Sequence, residues 1–324
     1  MQRQPRFGVL IWSAAALAIC ACSRQLGPPA SLSWAYPKAA EAPLPEAGPG
    51  LHRIPGSART FNAAELNDDR NPVDWKPEQH PPAPDIVAHG RKGGPTPCAE
   101  CHLFNGGGFI GAPDLAGLPA AYIVQQVQEF RAGRRLSAEP RRPATHEMIE
   151  VAQKVTDAEL AQAAAYFASL PRRPRYRVVE TGRVPATRPD YYGWLDLVPG
   201  GGFEPIRGRV VEAPEDTSRM FLADPDSGAV VYVPSGALTR GAALVQTGGR
   251  GGQACASCHG ADLKGAGEAP PLAGRAATYL ARMLWDIRSG ARNGPAVALM
   301  QMPAAGLSAA DVTDIAAYLA SLKP

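Results

Sequence analysis

Cys98-Ala-Glu-Cys101-His102 in the first half of the chain is repeated as Cys255-Ala-Ser-Cys258-His259 in the second half. Such a Cys-x-x-Cys-His pentad is the covalent attachment sequence of c-type haem. Thiols three positions apart can add to the two vinyl groups on one edge of a porphyrin, and the next histidine turns inward to ligate the iron. The two pentads therefore predict two covalently bound haem c groups, with His102 and His259 as iron ligands, and one-electron transfer chemistry.

Other cysteine sites fit these pentads less well. A zinc ribbon also pairs Cys-x-x-Cys motifs, but its pairs lie about 15–20 residues apart, much closer than Cys101 and Cys255. A thioredoxin-like redox site needs one such motif and no histidine after it. The sequence therefore favours haem over zinc or thiol chemistry.

The two halves of the chain repeat each other beyond the pentads. Counted from the haem histidine, identical residues recur at the same offsets, namely Leu115 and Leu272, Tyr122 and Tyr279, and Gly133 and Gly290. Both copies end in a matching peptide, Ala-Tyr-Phe-Ala-Ser-Leu over 165–170 and Ala-Tyr-Leu-Ala-Ser-Leu over 317–322. Two copies of one module, at residues 86–171 and 241–324, are the simplest explanation.

Each module is predicted to be mainly helical. Ile123, Val127 and Phe130 lie at helical spacing in the first copy. Thr156 followed by Glu159 is a capping-box sequence that starts the last helix of this copy. The second copy begins its last helix in the same way at Ser308, with aspartate in place of glutamate.

Residues 172–240 differ in character from both modules. Stretches 207–212 and 229–233 are rich in β-branched residues, which favour strands. The turn-forming sequence of residues 224–228, Asp-Pro-Asp-Ser-Gly, separates Met220-Phe-Leu222 from the second stretch. We predict an irregular connecting segment with a small β-hairpin that turns at 224–228, and we find no catalytic constellation in it.

Residues 23–85 are rich in proline, alanine and glycine. The runs 43–50 and 80–84 are typical of an extended or disordered linker, which would hold a globular part away from a membrane. The alternative is a segment that packs along the haem domains through Phe61, Trp75 and Ile86. The sequence leaves both interpretations open.

The first 22 residues form a predicted signal peptide of the lipoprotein type. Arg3 and Arg6 precede an apolar stretch at residues 7–19, which is shorter than the about 20 residues of a membrane span. Residues 19–22, Ile-Cys-Ala-Cys, resemble a bacterial lipoprotein signal in which Cys22 becomes the lipidated first residue. We therefore predict a periplasmic protein tethered to the membrane by an N-terminal lipid, which suits haem attachment outside the cytoplasm.

The charge of the chain argues against nucleic acid as a partner. The formal net charge is +3, and neither an arginine-rich helix nor zinc-finger spacing is present in the sequence. The basic pairs Arg134-Arg135 and Arg141-Arg142 are a local concentration of charge near Met148. They could steer an acidic partner, or they belong to a solvated loop that neutralises haem propionates.

Methionine is the predicted second ligand of each iron, because a thioether opposite histidine raises the reduction potential. Met148 is the only methionine between the first pentad and the last helix of its module, and His146 is the alternative. Met300 precedes the tyrosine of its last helix by 18 residues, as Met148 does. Met302, which forms a Met-Pro pair, is the alternative in the second module.

A proline follows each haem histidine by 11 residues, Pro113 in the first module and Pro270 in the second. A ligating histidine normally donates its other ring proton to a fixed acceptor. We predict that the two proline carbonyls are these acceptors, because proline fixes the local backbone and has no competing N–H.

Each half thus contains a pentad, a Pro-x-Leu-Ala-Gly sequence, a methionine and an Ala-Tyr-x-Ala-Ser-Leu helix, and the chain resembles a di-haem cytochrome c of the cytochrome c4-like kind. The resemblance covers both modules and implies two tandem class I cytochrome c domains with His/Met haems. It implies an electron carrier between a membrane or periplasmic donor and a terminal acceptor, with redox proteins such as a respiratory complex, dehydrogenase or oxidase as partners. The long connecting segment and the predicted lipid anchor depart from the family pattern.

Two other functions stay open. The chain could be the cytochrome subunit of a dehydrogenase complex, with the connecting segment as an interface. A di-haem peroxidase is a weaker alternative, because peroxide needs an open iron and each module offers a methionine at a matching position. We therefore predict an electron carrier and not an enzyme.

Overall fold

The computed structural model of the protein describes residues 30–41, 46–109 and 111–324. The predicted leader, including Cys22, lies outside these residues. Within them, no helix is both long enough and apolar enough to cross a membrane.

The described residues of the predicted linker pack against the domains. Their elements are a 3-10 helix at Ala30–Ala35, β1 (Leu51–His52), β2 (Phe61–Asn62), α1 (Ala63–Leu66) and a 3-10 turn at Pro77–Gln79. Leu32 and Ala35 are fully buried in the core of the second domain. Trp75 is 2% exposed, and its Nε1 donates to the carbonyl of Leu222 at 2.6 Å. This part of 23–85 is therefore folded, because a few large apolar side chains bury surface despite the proline- and alanine-rich composition.

The first domain is a small helical unit around the first pentad. Its helices are α2 (Asp85–Ala88), α3 (Cys98–His102), α4 (Ala120–Arg131), α5 (Pro143–Lys154) and α6 (Asp157–Ser169). Helix α4 packs against α5 and α6, and Val87, Ile123 and Phe167 are buried between them. The Thr156–Glu159 capping box starts α6 with both of its reciprocal hydrogen bonds.

The connecting segment forms three small sheets and one short helix. Its elements are β3 (Tyr176–Glu180), β4 (Arg183–Pro185), β5 (Thr187–Pro189), β6 (Leu195–Leu197), β7 (Phe203–Pro205), β8 (Val211–Pro214), α7 (Thr217–Phe221) and β9 (Ala229–Val233). Strand β9 lies in the middle of a three-stranded sheet, parallel to β3 and antiparallel to β8. The antiparallel pairs β4–β7 and β5–β6 are nested within this segment.

The sequence predicted a β-hairpin that turns at 224–228, and the first strand of that hairpin is wrong. Met220 and Phe221 lie in α7 instead of a strand, because Asp216 caps that helix by accepting from the amides of Ser218 and Arg219. The antiparallel partner of β9 is β8, with Val211 opposite Tyr232. The 224–228 turn therefore joins a helix to a strand.

The second domain repeats the first in a larger form. Its elements are α8 (Ala237–Thr247), a 3-10 turn at Gly249–Gly251, α9 (Ala256–His259), α10 (Ala277–Arg288), a 3-10 turn at Pro295–Val297, α11 (Ala298–Ala305) and α12 (Ala309–Ser321). Helix α12 packs against α8, α10 and β3. Val231 and Val233 of the connecting sheet are fully buried in the same core as Val312, so this sheet belongs structurally to the second domain. Helix α8 crosses the boundary predicted at 240/241.

The two domains meet at a contact with approximate twofold symmetry. The amide of Leu136 donates to the carbonyl of Ala291, and the amide of Asn293 donates to the carbonyl of Arg134, each at 2.9 Å. Both donors lie 34 residues after their haem histidine and both acceptors lie 32 residues after it. Equivalent positions of the two modules therefore exchange equivalent hydrogen bonds.

Candidate haem centres

Each pentad forms a short helix that presents both thiols on one side. The first pentad is helix α3, which Pro97 precedes, and the second is helix α9, which begins after Cys255. Positions i and i+3 of a helix lie on the same face, so the two thiols of each pentad can reach one edge of a flat group. All four cysteines of the described chain are unpaired: Cys258 is exposed and the other three are half-buried.

The two pentad histidines have the same hydrogen-bond geometry. Nδ1 of His102 lies 2.9 Å from the carbonyl oxygen of Pro113, and Nδ1 of His259 lies 2.8 Å from that of Pro270. A carbonyl only accepts, so Nδ1 carries the proton. Nε2 of neither ring forms a hydrogen bond within the described residues. Burial lowers the pKa of both imidazoles, so each ring is neutral, with an Nε2 lone pair available to a metal.

The structure places the candidate methionines differently from their alternatives. Met148 on α5 packs against the core of the first domain, whereas His146 is exposed and its Nε2 lies 2.6 Å from the carbonyl of Pro140. Met300 on α11 packs against a buried cluster that contains Ile287, Val297 and Ala304, whereas Met302 is 68% exposed. In both domains the preferred methionine contacts the interior and the alternative side chain faces solvent.

Buried arginines at the domain contact suit the carboxylates of a porphyrin. Arg292 donates to Gln126 at 2.7 Å and to the Tyr122 hydroxyl at 3.3 Å. Arg135 reaches Sδ of Met283 at 3.6 Å. Each arginine therefore contacts the opposite domain, and each lies 33 residues after its own haem histidine.

Two buried arginines at the domain contact are incompletely paired, Arg135 and Arg275, the second of which donates to the carbonyl of Asp114 at 2.9 Å. Arg135 is 8% exposed and burial lowers the pKa of its guanidinium, while its Nε and one terminal nitrogen of Arg275 have no hydrogen-bond partner within the described residues. A buried cation without hydrogen-bond partners is unfavourable, and the propionates of a haem would supply acceptors of the kind that is missing. The thiols, the imidazoles and these arginines thus fit haem c in both domains.

The basic pairs at 134–135 and 141–142 do not form one exposed basic surface, which disfavours the first of the two interpretations of these residues. Arg135 is buried at the domain contact, and Arg134 pairs with Glu129 at 2.8 Å. Arg141 pairs with Glu139 at 2.9 Å. These pairings leave little unbalanced charge for steering a partner. Arg135 and Arg292 share an offset from their haem histidines, but this equality alone does not place them at the domain contact.

The two centres differ in how much protein covers them. In the first, Tyr192 of the connecting segment lies near Cys101 and near Glu147, the residue before Met148. Burial raises the pKa of the Cys98 and Cys101 thiols to about 12. Burial and the negative charges of Asp69, Asp68 and Glu147 raise the pKa of Glu100 to about 7. At the second centre, Cys258 and its neighbour Ser257 are exposed.

Comparison with known proteins agrees with this geometry. The sequence model of the family described as cytochrome c matches residues 87–171 and 238–323. The chain is 27% identical over 229 residues to cytochrome c4 of Pseudomonas aeruginosa, covering 69% of this chain and 83% of that protein. It is 46% identical over 68 residues to cytochrome c-554(548) of Halomonas halodenitrificans, covering 21% of this chain and 82% of that protein.

A solved structure is also similar to this chain. It is a thiosulfate dehydrogenase from Marichromatium purpuratum, with a TM-score of 0.50 and 28% sequence identity. The similarity covers 74% of this chain and 39% of that one, so this chain spans well under half of the dehydrogenase.

Proposed function

Because this chain belongs to the cytochrome c family and carries two of its domains, each with one covalently bound haem c, we propose that it carries single electrons between a membrane or periplasmic donor and a terminal acceptor. The observation that supports this most directly is the pair of neutral histidines, each oriented by a proline carbonyl and each with a free Nε2. One such site per domain makes two one-electron centres in one chain.

The proposed ligand sets are His102 with Met148 in the first domain and His259 with Met300 in the second. Both methionines pack against apolar interiors, where a thioether loses little by leaving water. These two residues per domain would hold the iron from both sides and would leave no open coordination position for small molecules such as peroxide. This supports an electron carrier over a di-haem peroxidase.

The protein residues hold the cofactor and set its surroundings. The haem iron supplies one-electron oxidation and reduction. The Pro113 and Pro270 carbonyls fix the imidazole tautomers and ring orientations, and such acceptors raise ligand basicity. Arg135 and Arg292 place positive charge at the domain contact, where it offsets the negative charge of the propionates.

A redox titration of the purified protein, followed by optical spectroscopy, tests the proposal. We expect two one-electron transitions and no change of the reduced spectrum when carbon monoxide is added. Carbon monoxide binding by the wild-type protein would show an open iron and would contradict the proposal.

Methionine variants test the ligand sets. Met148→Leu and Met300→Leu should each lower one reduction potential, open one iron to carbon monoxide and leave both haems covalently attached by mass spectrometry. Met302→Leu is the matched control and should leave both potentials unchanged. A shift with Met302→Leu and none with Met300→Leu would reverse the assignment in the second domain.

The proposed location is the periplasmic side of the membrane, with a lipid on Cys22 as the tether. The leader sequence supports it, and so does the pair of pentads, because haem is attached to such pentads outside the cytoplasm. The first described element, the 3-10 helix at Ala30–Ala35, packs on the second domain, so only a few residues separate Cys22 from the folded body.

A second candidate function is that of a cytochrome subunit in a dehydrogenase complex. The 28% identity to a thiosulfate dehydrogenase structure, of which this chain covers 39%, favours it. Affinity purification of the chain from native membranes in mild detergent distinguishes the two. A stoichiometric dehydrogenase that survives gel filtration supports the subunit, and recovery of the chain alone supports the mobile carrier.

A further inference from the structure

The second domain exposes an apolar, uncharged surface on α11. Leu299 is 85% exposed and Met302 is 68% exposed. The sequence from residue 293 to residue 310 contains no Asp, Glu, Lys or Arg. The exposed residues between positions 295 and 305, which we call the α11 face, are Pro295, Ala296, Ala298, Leu299, Gln301, Met302 and Ala305. Contiguous exposed apolar surface on a soluble protein marks an interaction site more often than an isolated exposed side chain does.

The first domain provides an internal comparison. Aligned on Met148 and Met300, residues 141–158 of the first domain correspond to 293–310. The first stretch carries six charged side chains, Arg141, Arg142, Glu147, Glu150, Lys154 and Asp157. Glu147 corresponds to Leu299. The fold therefore accepts charge at this position, and the apolar face of the second domain is not required for folding.

The α11 face adjoins the more open of the two centres. The 3-10 turn Gly249–Gly251 packs against α11 and runs into the second pentad. Gln253, Ser257 and Cys258 beyond it are exposed and uncharged. In the first domain Tyr192 of the connecting segment lies near Glu147 and Cys101. Apart from the exposed Arg250 of that turn, a partner thus approaches the second pentad over uncharged residues, whereas the surroundings of the first pentad include the connecting segment.

The chemistry of the face selects among possible occupants. Helices that lie on membranes carry Lys or Arg on their polar side, and this stretch has none. A stable second copy would need about 1,200–2,000 Å² of buried surface, which an eight-residue helix is too short to supply alone. Weak redox encounters occupy the low end of interface size, so a transient redox partner fits the size and the lack of charge.

We propose that the α11 face is the docking surface for a redox protein whose own cofactor edge is apolar and uncharged. Electrons exchanged with this partner pass through the second haem centre. The inference rests on the proposed function and adds to it the chemistry of the partner and the domain at which it binds.

Electron-transfer kinetics with a defined probe test the docking surface. The probe is a small blue-copper protein whose copper-site edge is apolar and uncharged, mixed with the holoprotein by stopped flow. Leu299→Glu and Leu299→Lys should each lower the second-order rate constant about tenfold, since interface changes move association rates by about one to three decades. Leu51→Glu is the matched control, because Leu51 is 71% exposed on the N-terminal segment, and its rate should equal the wild-type rate. Reduction by ascorbate, which needs no protein docking, should be the same in all four proteins.

A binding measurement that needs no electron transfer accompanies the kinetics. With both proteins oxidised, the probe should protect amides of residues 295–305 from hydrogen exchange in the wild-type protein and not in Leu299→Glu. Rates within twofold of wild type in both Leu299 variants would overturn the inference, as would opposite effects of Glu and Lys, which would indicate an electrostatic surface. Loss of a wild-type dimer in sedimentation, or of wild-type binding to phosphatidylcholine vesicles, in Leu299→Glu would identify a different occupant and would also overturn it. Carbon monoxide binding by the wild-type protein contradicts the proposed function instead, so the two failures are distinguishable.

Discussion

Replacement of Trp75 by alanine measures how firmly the N-terminal segment belongs to the folded body. The indole is 2% exposed, and its ring meets that of Phe61 edge-on with 4.7 Å between centroids. Its Nε1 donates to the carbonyl of Leu222 at 2.6 Å. Truncation of a buried Trp to Ala costs about 3–5 kcal/mol, and leaving a buried carbonyl without its donor costs about 1–3 kcal/mol. The segment can partly collapse around the gap, so we expect a loss of about 3–5 kcal/mol.

The assay is urea unfolding of the holoprotein, followed by far-ultraviolet circular dichroism and analysed by linear extrapolation. Trp75→Phe keeps an aromatic ring at this position and removes the Nε1–H donor, so it should cost about 1–2 kcal/mol. Phe203→Ala is the control: its side chain is 64% exposed, and the change should stay within about 0.5 kcal/mol. A Trp75→Ala protein within about 1 kcal/mol of wild type would refute the reasoning, because it would mean that the segment contributes little to the fold.

Three further changes test other parts of the chain. Cys22→Ser should move the protein from the membrane fraction to the soluble periplasm, and continued membrane association in cell fractionation would rule out the lipid anchor. The hydrogen bond to Asp74 raises the pKa of His80; stability from this pair is therefore complete below the unfolded pKa of about 6.5 and is lost as pH rises through the folded pKa. The difference in unfolding free energy between wild type and Asp74→Asn should thus shrink as the pH rises above about 6.5, and a constant difference would contradict the ion pair. Thr156→Ala removes the bond from the Glu159 amide at 3.2 Å and should cost about 1 kcal/mol in chemical denaturation; a cost near zero would show that α6 does not depend on its cap.

The local sequence contained enough information for the two domains and their cofactors. A pentad is a single helical turn, so its chemistry can be read from consecutive residues. The repeat then fixed which positions of the two halves are equivalent. The mainly helical character and the two cytochrome c domains are confirmed, as are the two covalently bound haem c groups, which depend only on short-range spacing.

Long-range contacts were the part that the sequence did not reveal. Trp75 bonds to Leu222, which lies 147 residues further along the chain, and no local pattern announces such a partner. The connecting sheet pairs β3 with β9 in parallel, although most of the segment separates them. Parallel strands need a crossover connection, so a hairpin between adjacent strands was the simpler prediction. It was wrong at Met220, which lies in the helix α7 that Asp216 caps.

The candidate site was predictable to the extent that it depends on the repeat. Equal spacing chose Met300 over Met302, and the structure places the former against a buried cluster and the latter in solvent. Arg135 and Arg292 also lie at equal distances in sequence from their haem histidines. Their contacts with the opposite domain could not be predicted without knowing that the two domains face each other. Tyr192 has no counterpart in the second module, so comparison of the two copies offered no signal for it.

The reciprocal hydrogen bonds between Leu136 and Ala291, and between Asn293 and Arg134, have the form of an isologous contact, which two identical subunits make across a dimer axis. A gene duplication followed by fusion converts such a homodimer into one polypeptide and keeps the axis. Once each half has its own coding sequence within the fused gene, a mutation in one half no longer appears in the other. This freedom is what allows glutamate at position 147 and leucine at position 299 to coexist, so that a symmetric ancestor gives rise to a molecule with two unlike ends.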